Sequence, residues 1–248
     1  IDTMQQIKKA GKLPIIFADK DSWTIHQGWD AIDMSSRGSQ DDFFQNVLNG
    51  DAFLYEDSIA LDSTRKFLEI RKYGQKQTVN TGYDEAVKKF ANGEAYMFFQ
   101  GNWAYPMIKK INPDIDLLFM PFPAYHENQA KVVVKIDATL GVSASCKHLE
   151  AVEQFLDYVF SKNVSEYYAD KAGAYSCIKS VDVEDSYAKA FTDSIRSGEF
   201  FLEEFAYETE KSDAINALFQ NFISSPQRDT EKSFLKELND LLIQQKGD

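Results

Sequence analysis

Residues Tyr83–Trp103, YDEAVKKFANGEAYMFFQGNW, hold three elements in succession. Ala86, Val87, Phe90 and Ala91 lie on one apolar stripe, so a helix is predicted there. Asp84 and Glu85 stand in its first turn, where the positive end of the helix dipole favours acids. Asn92-Gly93 ends it, with Gly where left-handed backbone is needed. Ala95-Tyr96-Met97-Phe98-Phe99 is then an unbroken apolar run, too short for a helix and suited to a buried strand. Gln100-Gly101-Asn102 turns the chain, and Asn102 is placed to cap a helix beginning at Trp103. An indole therefore sits at a helix N-terminus just past the carboxyl end of a strand. That edge is where open α/β sheets bind ligands.

The same plan is legible upstream. Met4 and Ile7 mark the inner face of an opening helix, Asp2–Lys9, and Gly11 stops it. Pro14 leads into Ile15-Ile16-Phe17-Ala18, a second predicted buried strand, completing an α/β unit. The loop Asp19-Lys20-Asp21-Ser22-Trp23-Thr24 again puts a tryptophan beyond a strand's carboxyl end. Ile25, Trp29 and Ile32 then recur at helical spacing, which assigns Trp29 to packing. Short and long helices follow over 41–48 and 58–73, the latter with Ile59, Leu61, Phe67, Leu68 and Ile70 as its apolar positions.

Downstream, Leu117–Met120 is a short apolar run closed by Pro121-Phe122-Pro123, since prolines cannot continue a central strand. Residues 132–140 read as extended, interrupted by Lys135, Asp137 and Thr139, and 141–144 as a continuing strand. An amphipathic helix is predicted over 148–160, with Val152, Phe155, Leu156 and Val159 inward, and a second over 161–168. The loop Lys171–Tyr175 follows. The tail reads as helical: 187–196, then 213–223 capped by Ser212, then a last helix opened by Asp229 with Phe234, Leu235, Leu238, Leu241 and Leu242 inward.

Composition narrows the function. Among 248 residues, 44% are hydrophobic, enough for a sizeable core, and the net charge is −12. That charge argues against a nucleic-acid partner, whose affinity rests on Lys and Arg, and against an anionic membrane surface. No apolar run is long enough to span a bilayer. The chain opens at Ile1 within a helix, which reads as a fragment or processed chain. Cys146 and Cys177 fit no metal spacing; a disulfide would suit an exported protein, and two free buried thiols is the other reading. His26, His126 and His148 are scattered, so neither a metal nor a cofactor is expected. No nucleophile elbow, zinc-protease, dinucleotide or P-loop motif occurs. No carboxylate pair stands out from the 39 acids as the acid and base of a hydrolase, so no catalytic residue is assigned.

Binding has more support. Sugar rings present C–H faces that an indole covers, while neighbouring polar groups take the hydroxyls. Trp103 with Gln100 and Asn102, and Trp23 with Asp21, have that makeup. Gln100 and Asn102 could equally cap backbone. Asp137 interrupts an apolar run, as a hydroxyl acceptor or a hinge hydrogen bond, and Tyr175 follows a glycine loop.

The order of motifs — F-x-x-G-x-A-x-M over Phe90–Met97, then x-G-x-W over Gln100–Trp103 — resembles extracellular solute-binding proteins of ABC-transporter family 1, the group that includes maltose-binding protein. Lys9–Ile15, as K-x-G-x-x-P-I, and the segment from Leu140 to Ser161 resemble the same family. The resemblance runs in order through the whole chain, and each motif alone is short. It implies an α/β fold of the periplasmic-binding-protein type II. Residues 1–136 and 187–248 would belong to the carboxyl-terminal lobe and 137–186 to the amino-terminal lobe, most of which would lie upstream with a secretory or lipoprotein signal. It further implies a monomeric extracellular, lipoprotein or periplasmic receptor that performs no chemistry. Its partners would be a carbohydrate ligand and the transmembrane subunits of an ABC permease; the alternatives are a binding protein of the same fold for a non-sugar solute and a glycoside-active enzyme.

Overall fold

The computed structural model describes residues 1–37, 42–122, 131–135, 139–181, 189–203, 209–225 and 230–243. In chain order these form α1 (Asp2–Lys9), β1 (Leu13–Ile16), α2 (Trp23–Ser36), α3 (Phe43–Asn49), α4 (Ser58–Arg71) and a 3-10 turn (Thr78–Asn80). There follow α5 (Tyr83–Ala91), β2 (Ala95–Phe98), α6 (Ala104–Ile111), β3 (Val132–Lys135), α7 (Leu149–Val159) and α8 (Lys162–Ala172). The tail holds α9 (Lys189–Ser197), β4 (Phe200–Glu203), α10 (Thr209–Ser224) and α11 (Glu231–Ile243).

β1 and β2 pair in parallel, Leu13 opposite Ala95 and Ile16 opposite Phe98. Parallel pairing sends both carboxyl ends to one edge, so the loops after β1 and β2 leave side by side. β1 ends sooner than its apolar run: Phe17 is buried but its backbone N–H and C=O bond to the side-chain amide of Gln75 (3.1 and 2.6 Å) instead of to a strand. A second parallel pair, β3 with β4, matches Val132 to Phe200 and Lys135 to Glu203. Nothing in the sequence had marked β4, a four-residue strand within a helical tail.

The main core lies among α2, α4, α10 and α11. Trp29, Phe67, Phe219, Phe222 and Phe234 fill it, with Phe222 and Phe234 stacked at 4.0 Å between ring centroids. Polar groups caught there are satisfied, as burial requires. The Trp29 indole N–H donates to Thr64 Oγ1 (2.9 Å), and Leu54 N donates to Asn239 Oδ1 (2.9 Å). A smaller apolar layer joins α5 to α6 through Val87, Ala91, Ala104 and Ile108. Gly93 follows α5 with φ +76°, the left-handed cap that its position predicts.

Several expectations need correction. Tyr96 within β2 is 58% exposed, so that strand is not buried on both sides. Residues 141–144 form no strand, and Leu140 and Val142 are exposed. α7 buries none of its residues, and Phe155, expected inward, is exposed. Ser212 lies inside α10. Asn102 does not cap α6: Trp103 is the residue before the helix, and the Asn102 side chain is used elsewhere. Cys146 and Cys177 are free thiols, half-buried and exposed respectively. His126, Asp137 and Asp229 lie outside the described residues; α11 is preceded by Thr230, whose Oγ1 accepts from Ser233 N (3.1 Å).

Candidate functional site

Because β1 and β2 run together, the two loop tryptophans meet. Trp23 is the first residue of α2 and Trp103 the residue before α6. Their ring centroids lie 6.4 Å apart at 54°, within the range of favourable aromatic contact. Both are half-buried. Tyr83, the first residue of α5, completes the cluster at 5.3 Å from Trp23. The cluster is thus assembled from three helix N-termini at one sheet edge. β3 adds a fourth contributor: Lys135 Nζ sits over the Trp103 ring, 5.8 Å from its centroid. At an exposed site such a cation–π contact contributes about 0.5–1 kcal/mol.

The loops are held by hydrogen bonds that use several of the expected site residues. Asp21 Oδ2 accepts from the backbone N–H of Tyr83 (2.6 Å), tying the β1 loop to the start of α5. Asn102 Nδ2 donates to the carbonyl of Gly173 (2.6 Å), tying the β2 loop to the chain after α8. Thr24 Oγ1 donates to Ala18 O (3.1 Å). Tyr175 stands near Thr192, whose Oγ1 is 3.5 Å from its hydroxyl, and burial raises its pKa. Asp19, a polar neighbour of Trp23 in sequence, is buried and ion-paired with Arg71. Burial alone would pull the Arg71 guanidinium down to about 9; the adjoining carboxylate favours the charged form and keeps the pair ionic. That pair walls a small recess lined also by Phe99 and Gln100, which does not reach the two tryptophans.

Two buried polar atoms at this edge have no partner among the described residues: Tyr83 Oη and Gln100 Oε1. Burial, helped by the charge of Asp84, pushes the Tyr83 phenol up to about 12. The Trp103 side chain opposes part of that shift without completing a hydrogen bond to the hydroxyl. Unpaired buried polar groups cost free energy unless a ligand or water takes them. Of the residues singled out from sequence, the structure brings Trp23, Trp103 and Gln100 to the edge and engages Asp21 and Asn102 in scaffold hydrogen bonds. It adds Tyr83 and Lys135. Nothing in the sequence had singled out Tyr83. Lys135 had shown only as a polar break in a β-branched run. Among the described residues no group of His, Cys, Asp or Glu is arranged to hold a metal ion, and no helix is long and apolar enough to cross a membrane.

The sequence profile of the bacterial extracellular solute-binding proteins matches residues 1–165. The chain belongs to that family. It is 27% identical over 189 residues to a multiple sugar-binding protein of Streptococcus mutans, an alignment covering 73% of this chain and 44% of that protein. Its fold matches RafE solved in complex with raffinose, with a TM-score of 0.76, 20% identity, and coverage of 98% of this chain and 64% of the other. It also matches a sugar transporter of Bacillus licheniformis in complex with stachyose, with a TM-score of 0.73, 17% identity, and coverage of 96% and 64%. The likeness of fold establishes the periplasmic-binding-protein architecture. The chain spans less than two thirds of the length of these relatives.

Proposed function

We propose that this chain is part of the substrate-binding component of an ABC importer, which captures a sugar or oligosaccharide and delivers it to a membrane permease. The observation that carries the reading is the half-open contact of Trp23 and Trp103 at the common carboxyl edge of β1 and β2. Two tilted indoles offer faces to sugar C–H surfaces. Tyr83 Oη beside the indoles, and Gln100 Oε1 in the separate recess lined by Asp19 and Arg71, both lack partners among the described residues and are suited to sugar hydroxyls. Asp137 and Tyr175 are further ligand contacts in this reading. The raffinose and stachyose named for two relatives of like fold favour an oligosaccharide.

Residues 1–136 and 187–248 then form one lobe, and 137–186 belong to the other. α7 and α8 support that division. They pack chiefly on each other and leave Leu149, Phe155, Tyr158 and Tyr167 exposed. An apolar surface of that kind marks an interface, and the longer relatives have the length to supply a second lobe. Closure of two lobes about a hinge would bury the ligand. The receptor would work outside the cell as a monomeric lipoprotein or periplasmic protein, with no reaction of its own.

The test is a thermal-shift screen of the full-length polypeptide against raffinose, stachyose, chito-oligosaccharides and monosaccharides. A ligand at about 100 times its Kd adds about 2.7 kcal/mol to the folded state and raises Tm. The expected result is a saturable shift with one glycan class, abolished by Trp103→Ala. Absence of any shift across the panel, or turnover of an aryl glycoside, sinks the proposal.

A further inference from the structure

Gly101 stands in the turn between β2 and Trp103. A Cβ built on it would lie 2.1, 2.2 and 2.5 Å from Cζ3, Cη2 and Cε3 of Trp103. Real Cβ atoms do not approach that closely, so the benzo edge of the indole occupies the space that any other residue at 101 would fill. The backbone gives no reason for glycine here, because Gly101 is not among the residues with positive φ. Gly93 is the reverse case: its φ is +76° and a Cβ there would meet open space. Gly93 serves a turn, whereas Gly101 serves a side chain.

We infer that Gly101 is the positioning residue of the proposed ligand site: its missing Cβ lets the Trp103 indole fold back over its own turn, beside Trp23 and under Lys135. The inference rests on the reading of Trp103 as a ligand-facing ring. The indole is the far end of a rotatable side chain. An alanine at 101 therefore swings the ring away and leaves the backbone allowed. The fold stays, and the pairing with Trp23 at 6.4 Å and with Lys135 at 5.8 Å is lost. The loop is tied in place beside the ring, because the Asn102 side-chain amide donates to the carbonyl of Gly173. One face of the site is thus set by the smallest residue in it.

The experiment compares wild type, Gly101→Ala, Trp103→Ala and the double variant, all in the full-length polypeptide. Without ligand, Gly101→Ala is expected to change the near-UV circular dichroism of the tryptophans and to retain the wild-type far-UV spectrum. It is expected to change nothing further in the Trp103→Ala background. With raffinose as probe, Gly101→Ala is expected to weaken binding about tenfold, the loss of one aromatic contact, and again to add nothing once Trp103 is gone. An unchanged near-UV spectrum, wild-type affinity in Gly101→Ala, or an effect that persists without Trp103 overturns the inference. If the wild type binds neither raffinose nor any other glycan of the panel, the carbohydrate reading fails, and the ligand-free spectra still decide whether Gly101 sets the ring.

Discussion

Trp23 and Trp29 share one helix, about two turns apart, and meet opposite fates. Trp29 is fully buried; its ring lies 5.9 Å from Phe219 and its N–H is spent on Thr64. Trp23 is half-buried and faces Tyr83 and Trp103 across a loop junction. The same residue type on the same helix therefore serves packing at one end and an open aromatic wall at the other. What separates them is what each end of α2 meets. The body of the helix packs against α4 and α10, while its first turn emerges where two parallel strands end. Energy spent on stability is concentrated in the first region, and groups left unsatisfied are concentrated in the second.

The largest effect expected from this contrast is at Trp29. Trp29→Ala empties a close-packed site and should cost about 3–5 kcal/mol, read as a lowered urea midpoint. Trp23→Ala should cost about 1 kcal/mol. Equal costs would erase the distinction between the two ends of the helix.

A pH titration sharpens the same contrast. The Tyr83 phenol is raised from 10.0 to about 12 in the folded chain. A raised acid favours its protonated form in the folded state, so between pH 10 and 12 the folded chain binds more protons than the unfolded one. The contribution of Tyr83 to stability is therefore full below pH 10 and is lost as pH rises toward 12. Absorbance at the phenolate band should show a late-ionising component to which Tyr83 and Tyr175 both contribute, and Tyr83→Phe should remove its part near pH 12 and flatten the alkaline loss of stability. A titration curve identical in the variant would contradict the burial of that hydroxyl.

The smallest effect belongs to the third aromatic region. Phe155 on α7 is 56% exposed, so Phe155→Ser should alter the stability of these 248 residues by no more than about 0.5 kcal/mol. In a longer polypeptide whose second lobe covers α7, the same change should cost about 2 kcal/mol. A large loss in the shorter chain would mean that α7 already has a partner there.

These cases mark how far a sequence speaks. Periodicity placed Trp29 inside and found α2, α4, α5 and α11 to within a few residues, because an apolar stripe at helical spacing must be covered. The same periodicity on α7 put Phe155 inward, and the described chain leaves it exposed. An amphipathic stripe states a need for cover and does not state what meets it. For the site, the sequence placed an indole beyond each of two strands, a local matter of strand, turn and helix start. It misplaced Asn102 as the cap of α6, since that amide donates to a carbonyl far along the chain, and it had no means of marking β4.

Local chemistry by itself determined the α/β units, their glycine stops and the polar loops that carry Trp23 and Trp103, since each rests on neighbours within a few residues. Only the tertiary structure decided that the two strands lie parallel and adjacent, which turns two separate loops into one aromatic wall. It also decided that Tyr83 and Lys135 join that wall. Those outcomes depend on side chains distant in sequence meeting in space, and no spacing along the chain encodes them.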